Sequence, residues 1–199
     1  MIEVHYKNEV NKESQLYKRL HEAHRRLINK ENTIWGSEAA AEASIRMDWL
    51  DLPSESRTLL AQLDSLFAKH KHLTNVILCG MGGSSLGPEV IAHTFGKELF
   101  VLDSTDPNYV SHSLTSDWSK TLVIVGSKSG STIETASQKS FFESCFEKAG
   151  LNKADHMIIV TDPKSPLDLA SREVGFTVVN ANPNVGGRFS VLGAFGLVP

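Results

Sequence analysis

From Asn75 onward the chain alternates short apolar runs with helix-like segments, and few folds accept that rhythm. The runs are NVILCG, ELFVLDS, TLVIVGS, DHMIIVT and FTVVNA, each rich in Val, Ile or Leu and each stopping at a Gly, Ser, Thr, Asp or Asn. Between them lie segments such as STIETASQKSFFESCFEKAG and SPLDLASREVG. Strands that read as continuous apolar runs rather than alternating ones are buried on both faces, so the pattern predicts an α/β fold: a parallel five-stranded sheet in a three-layer α-β-α sandwich. Ligands of such sheets bind beyond the carboxyl ends of the strands, where the strand order reverses. The loops after the strands therefore carry the functional information.

Before Leu73 the texture is helical throughout, which divides the chain into a helical section, 1–73, and a sheet domain, 74–199. NKESQLYKRLHEAHRRLINKE places Leu16, Leu20, Leu27 and Ile28 at helical intervals. SEAAAEASIRMDWL is rich in Ala and Glu, with Ser37 positioned as its cap. PSESRTLLAQLDSLFAKHKH opens with Pro53 in a first helical turn. The helical section is expected to pack on the outside of the sheet domain. A length of 199 residues allows one domain with an appendage and a sizeable core.

Charge and composition exclude several functions. A net charge of -3 with no basic stripe argues against nucleic-acid or membrane-surface binding. No run is long and apolar enough to span a membrane, and MIEVHYKNEV lacks the pattern of a secretory leader, so a cytoplasmic protein is expected. Cys79 and Cys145 sit in apolar contexts that suit buried thiols in a reducing compartment. HEAHRR misses the H-E-x-x-H zinc pattern because Arg25 stands where a histidine is needed, leaving His21 and His24 as a solvated helix face and no metal site. No serine has an evident base beside it, so a nucleophilic triad lacks support.

The first loop, GMGGSSLGPEV, combines glycines that permit close backbone approach with the start of a helix. It nearly matches a dinucleotide fingerprint, with Asp103 placed as the acidic partner, but Ser85 stands where G-x-G-x-x-G needs its last glycine. The loop after the third run argues against a dinucleotide. In SKSGST, Ser127, Ser129, Ser131 and Thr132 surround the start of a helix, so hydroxyls and backbone N–H groups can enclose an anion. Hydrogen bonds to a charged group contribute roughly 1.5–3 kcal/mol each, and four or five of them suffice for a phosphomonoester. Lys128 precedes the glycine rather than following it, unlike a triphosphate-binding Walker loop. In NANPNVGGRFSVLGAFGLVP, Gly186 and Gly187 free the backbone ahead of Arg188, and FSVLGAFGLV predicts a mostly buried helix that holds Arg188 in dry surroundings facing an anion.

GMGGSSLGP, SKSGSTIET and NVGGRFSVLGAFG, in this order, resemble the sugar-isomerase (SIS) domain of the phosphoglucose isomerase family, most densely over 76–199, and IWG and DWLDLP are similar to some bacterial members. The resemblance implies interconversion of glucose 6-phosphate and fructose 6-phosphate through an enediolate, with no metal or organic cofactor and a homodimer in the full-length protein. It implies that Ser127, Ser129 and Thr132 hold the phosphate, with Ser131 in the same loop. Gly83 and Ser84 would touch the sugar, and Lys128 and Glu134 would stand at the rim. Gly187 and Arg188 would lie near the reacting carbons, Arg188 stabilising the developing negative charge. Gly130 departs from the bulkier residue of many relatives and alters the loop's shape. The family's base glutamate, ring-opening histidine and a late lysine fall beyond the equivalent of Pro199. The expectation is therefore the N-terminal, substrate-binding portion of an isomerase, inactive alone. A freestanding phosphosugar sensor is the alternative from another class, and a small stand-alone ketose isomerase is a third reading that lacks its carboxylate base.

Overall fold

In the computed structural model, which describes residues 10–115 and 117–199, the alternating runs form one parallel sheet. The MIEVHYKNEV reading falls almost wholly outside the described residues. The strands are β1 (Asn75–Gly80), β2 (Phe100–Leu102), β3 (Thr121–Gly126), β4 (Met157–Thr161) and β5 (Thr177–Asn180). They lie in the order β2-β1-β3-β4-β5, all pairs parallel. The helices are α1 (Gln15–Ile28), α2 (Ala40–Ala43), α3 (Leu52–Glu55), α4 (Leu60–His70), α5 (Leu86–Thr94), α6 (Pro107–Ser111), α7 (Ile133–Lys148), α8 (Lys153–His156), α9 (Pro166–Glu173) and α10 (Ala194–Leu197).

The apolar runs are continuous because both sheet faces are covered. Leu78, Ile124, Ile158, Val160 and Phe195 fill one side, against which Leu66 of α4 packs. Ile77, Cys79, Val123, Val125 and Ile159 fill the other, with Phe142 and Phe146 of α7. Successive residues of β1, β3 and β4 thus point to opposite faces, the two-residue period of a strand. Cys79 and Cys145 are both free thiols, and only Cys79 is fully buried. No helix among the described residues is long and apolar enough to cross a membrane.

β1 is the strand from which the order runs both ways, so the switch point lies between β1 and β3. Their ends are level, Gly80 paired with Gly126, which opens both following loops onto one crevice.

The helical section differs from its sequence pattern in two respects. Leu16 and Leu20 of α1 are 67% and 60% exposed, and α1 buries no residue. The stripe is real, but Leu16, Leu20 and Ile28 are open to solvent and only Leu27 is half-buried. Ser37 is not a cap, since α2 starts from Ala39 without a side-chain capping bond and is only one turn long. The chain between them is anchored by other means. Met47 is buried and bridges Val185, Asp48 accepts from Lys30 and Asn182, and the Ser56 hydroxyl donates to the Leu192 carbonyl. The Lys30 ammonium beside it holds the Asp48 carboxyl below the usual range, and Asp48 and Asp51 together push Lys30 up to about 12.

Candidate functional site

Loop 127–132 leaves β3 at the switch point and feeds α7, whose N-cap residue, Thr132, makes no side-chain capping bond. The first N–H groups of α7 therefore lack an intrahelical partner, and the Thr132 hydroxyl is not spent on them. Ser127 is buried, with its Oγ 3.4 Å from Thr132 Oγ1, and Ser131 donates from N and Oγ to Ser129 Oγ at 3.2 and 3.0 Å. Gly130 makes this turn possible. Its φ is +68°, and a Cβ there would lie 2.8 Å from Leu167 Cβ and 2.9 Å from Ser165 Oγ.

Ser127, Ser129 and Thr132 line a cavity of about 380 Å³ together with Gly83, Ser84, Lys128, Gly187 and Ser190, whereas Ser131 is exposed and stands outside the lining. The loops after β1 and β5 meet here. A Cβ on Gly83 would fall 2.2 Å from the Gly187 carbonyl oxygen, so only glycine lets the two backbones touch. The structure thus brings together Gly83, Ser84, Ser127, Lys128, Ser129, Thr132 and Gly187. A ring of hydroxyls around an uncapped helix start can donate several hydrogen bonds to one anion.

Two expected residues lie elsewhere. Glu134, half-buried in the first turn of α7, lines neither this cavity nor its neighbour. Arg188 lines the neighbour, a space of about 680 Å³ bounded by Trp35, Trp49, Gly186 and Phe189. Arg188 is exposed, not dry, and its guanidinium sits 5.8 Å from the Phe189 ring centre. The expected helix from Phe189 is also broken: Gly187–Leu192 is a 3-10 helix, and α10 begins only after extended Gly193. In that tighter winding Ser190 turns inward while Arg188 and Phe189 face out, Phe189 stacking on Trp49 at 5.4 Å. The apolar neighbours in sequence are thus not neighbours that dry the arginine.

Lys128 lines both spaces, but its ammonium is engaged by Asp162 Oδ2 at 2.6 Å and the Pro183 carbonyl at 3.1 Å. Three further lining residues escaped the reading of the sequence. Thr135 Oγ1 and Asp162 Oδ1 are buried without a hydrogen-bond partner among the described residues. Arg46 reaches the site from the helical section. Thr135 was findable, since it stands one turn beyond Thr132; Asp162 and Arg46 lie on remote segments with no local signal.

The sequence pattern of phosphoglucose isomerase matches residues 20–199. The chain belongs to the phosphoglucose isomerase family. A glucose-6-phosphate isomerase from Thermus thermophilus is 33% identical over 186 residues, which are 90% of this chain and 42% of that protein. The crystal structure of a hypothetical protein, also from Thermus thermophilus, superimposes with a TM-score of 0.76 at 34% identity, covering 92% of this chain and 43% of that one. A glucose-6-phosphate isomerase from Chlamydia trachomatis gives a TM-score of 0.65 at 29% identity over 86% of this chain and 33% of that one. This phosphoglucose isomerase family member therefore spans less than half the length of these relatives, and the match includes most of the helical section as well as the sheet.

Proposed function

We propose that this chain is the substrate-binding portion of a glucose-6-phosphate isomerase. In this reading the 380 Å³ cavity holds the phosphate of a hexose 6-phosphate, with Ser127, Ser129 and Thr132 donating hydroxyls and the first amides of α7 closing the cradle. The Thr135 hydroxyl, buried and unpartnered beneath the loop, supplies a further donor. Gly83 and Ser84 border the sugar, and Gly187 leads its reacting end toward the larger space and Arg188. The observation that carries the reading is the convergence of these hydroxyls on the uncapped start of α7 at the switch point, in a chain of this family.

The reaction moves a proton between neighbouring carbons. A base removes the C2 proton of the open-chain aldose, negative charge collects on the enediolate oxygens, and the proton returns at C1. The task assigned to Arg188 is electrostatic: a guanidinium near those oxygens stabilises charge that exists only on the way between the two sugars. The proton transfer needs a base within hydrogen-bond reach of the carbon. Among the described lining residues of the two spaces the carboxylates are Asp162 and Glu42, and each is ion-paired, with Lys128 and Arg46. This supports a chain that binds but does not turn over by itself, the rest of the machinery coming from the remainder of a full-length enzyme, read as a homodimer.

Replacing Ser127 and Thr132 together by alanine tests the cradle. Loss of two charge-directed hydrogen bonds is expected to weaken glucose 6-phosphate binding by at least about 100-fold. Unchanged affinity in a folded double variant refutes it. In the full-length enzyme Arg188→Ala should lower kcat while leaving KM nearly unchanged, whereas a sensor would lose affinity or nothing.

A further inference from the structure

Two cationic side chains line the cavity at the switch point, and one of them is already spent. The three protons of the Lys128 ammonium go to Asp162 Oδ2 at 2.6 Å and to the carbonyls of Pro183 and Asn182 at 3.1 and 3.5 Å. Paired with Asp162, Lys128 adds no net charge. Arg46 is different. It donates from Nε to Glu42 Oε1 at 2.8 Å and from Nη1 to the Pro183 carbonyl at 3.3 Å, which leaves Nη2 without a partner among the described residues. Its backbone is fixed by the next residue, Met47, buried and bridged to Val185. The side chain is 38% exposed, and it lines both the hydroxyl cavity and the larger space beside it.

We propose that Arg46 is a specificity-determining contact for the anionic group of the ligand, and that Glu42 is the partner it gives up when that group binds. This rests on reading the cavity as a phosphosugar site. A phosphomonoester brings about two negative charges at neutral pH, and the serine and threonine donors around it are neutral. The planar guanidinium fork matches a phosphate as well as it matches a carboxylate, so the two compete for the same N–H groups. Glu42 is 69% exposed and returns to water readily when displaced. The helical section thereby contributes a ligand contact, not only a packing surface.

The test is calorimetric titration of the 199-residue chain with glucose 6-phosphate, inorganic phosphate and glucose at fixed ionic strength. Arg46→Gln is expected to weaken both phosphate-bearing probes about tenfold and to leave the response to glucose unchanged, with Arg46→Lys in between. Glu42→Gln is expected to tighten both phosphate probes about threefold, because the competitor is gone. Glu42 is exposed, so this second variant keeps the test alive if Arg46→Gln fails to fold. Wild-type affinity in folded Arg46→Gln, an equal loss for glucose, or no tightening in Glu42→Gln overturns the role of Arg46. A wild-type chain that binds neither phosphate probe overturns the phosphosugar reading itself.

Discussion

Gly130 shows how narrowly single residues shape the loop ahead of α7. Its left-handed backbone and its closeness to Leu167 and Ser165 leave no room for a side chain. Gly130→Ala should therefore destabilise the chain by roughly 1–3 kcal/mol, the usual cost of a non-glycine residue held in such a conformation, and should weaken sugar-phosphate binding with it. Urea unfolding read alongside a ligand titration checks both, and a neutral variant would show that the loop adapts. At this scale the sequence disclosed what was contiguous. Ser127, Ser129 and Thr132 stand in one short stretch, so their hydroxyls could be grouped without a structure. Arg46 and Asp162 join them only through the fold. Arg188 misled for the converse reason: Phe189 and Leu192, beside or near it in the chain, are themselves 46% and 43% exposed.

The strands were the most legible elements, because a run buried on both sheet faces has nothing polar to interrupt it. The helical section was less so. Periodicity reports which face of a helix is apolar, not whether anything covers it, and α1 carries a stripe that is open to solvent in this chain. Leu20→Ala should accordingly shift stability by no more than about 0.5 kcal/mol. Met47→Ala, which empties a buried site against Val185, should cost roughly 2–5 kcal/mol. Thermal melts of the two variants distinguish a held from an unheld part of the section; a large effect at Leu20 would mean that α1 is covered after all. The latch of Lys30 on Asp48 has a pH signature. The carboxyl of Asp48 is held below its unfolded value, so its stabilisation is complete above about pH 4 and disappears as pH falls through the lower folded value. The difference in melting temperature between wild type and Asp48→Asn should thus be present at pH 7 and shrink below about pH 4. A difference independent of pH would assign the effect to packing instead of charge.

On the scale of the whole molecule, the site is built where segments distant in sequence meet: the loops after β1, β3 and β5, and Arg46 from the helical section. Among the described residues that line the two spaces, the carboxylates Asp162 and Glu42 are both held in ion pairs. The purified chain should show no isomerisation of glucose 6-phosphate near ordinary enzymatic rates of about 1–1000 per second. Binding is the more direct test. Titration with glucose 6-phosphate and, separately, with glucose, following backbone amides by NMR, should shift the signals of Gly83–Ser85, Ser127–Thr135 and Gly187–Ser190 with the phosphorylated sugar and scarcely move them with glucose. Shifts that are equal for both sugars, or that fall away from the start of α7, would contradict a phosphate cradle at the switch point.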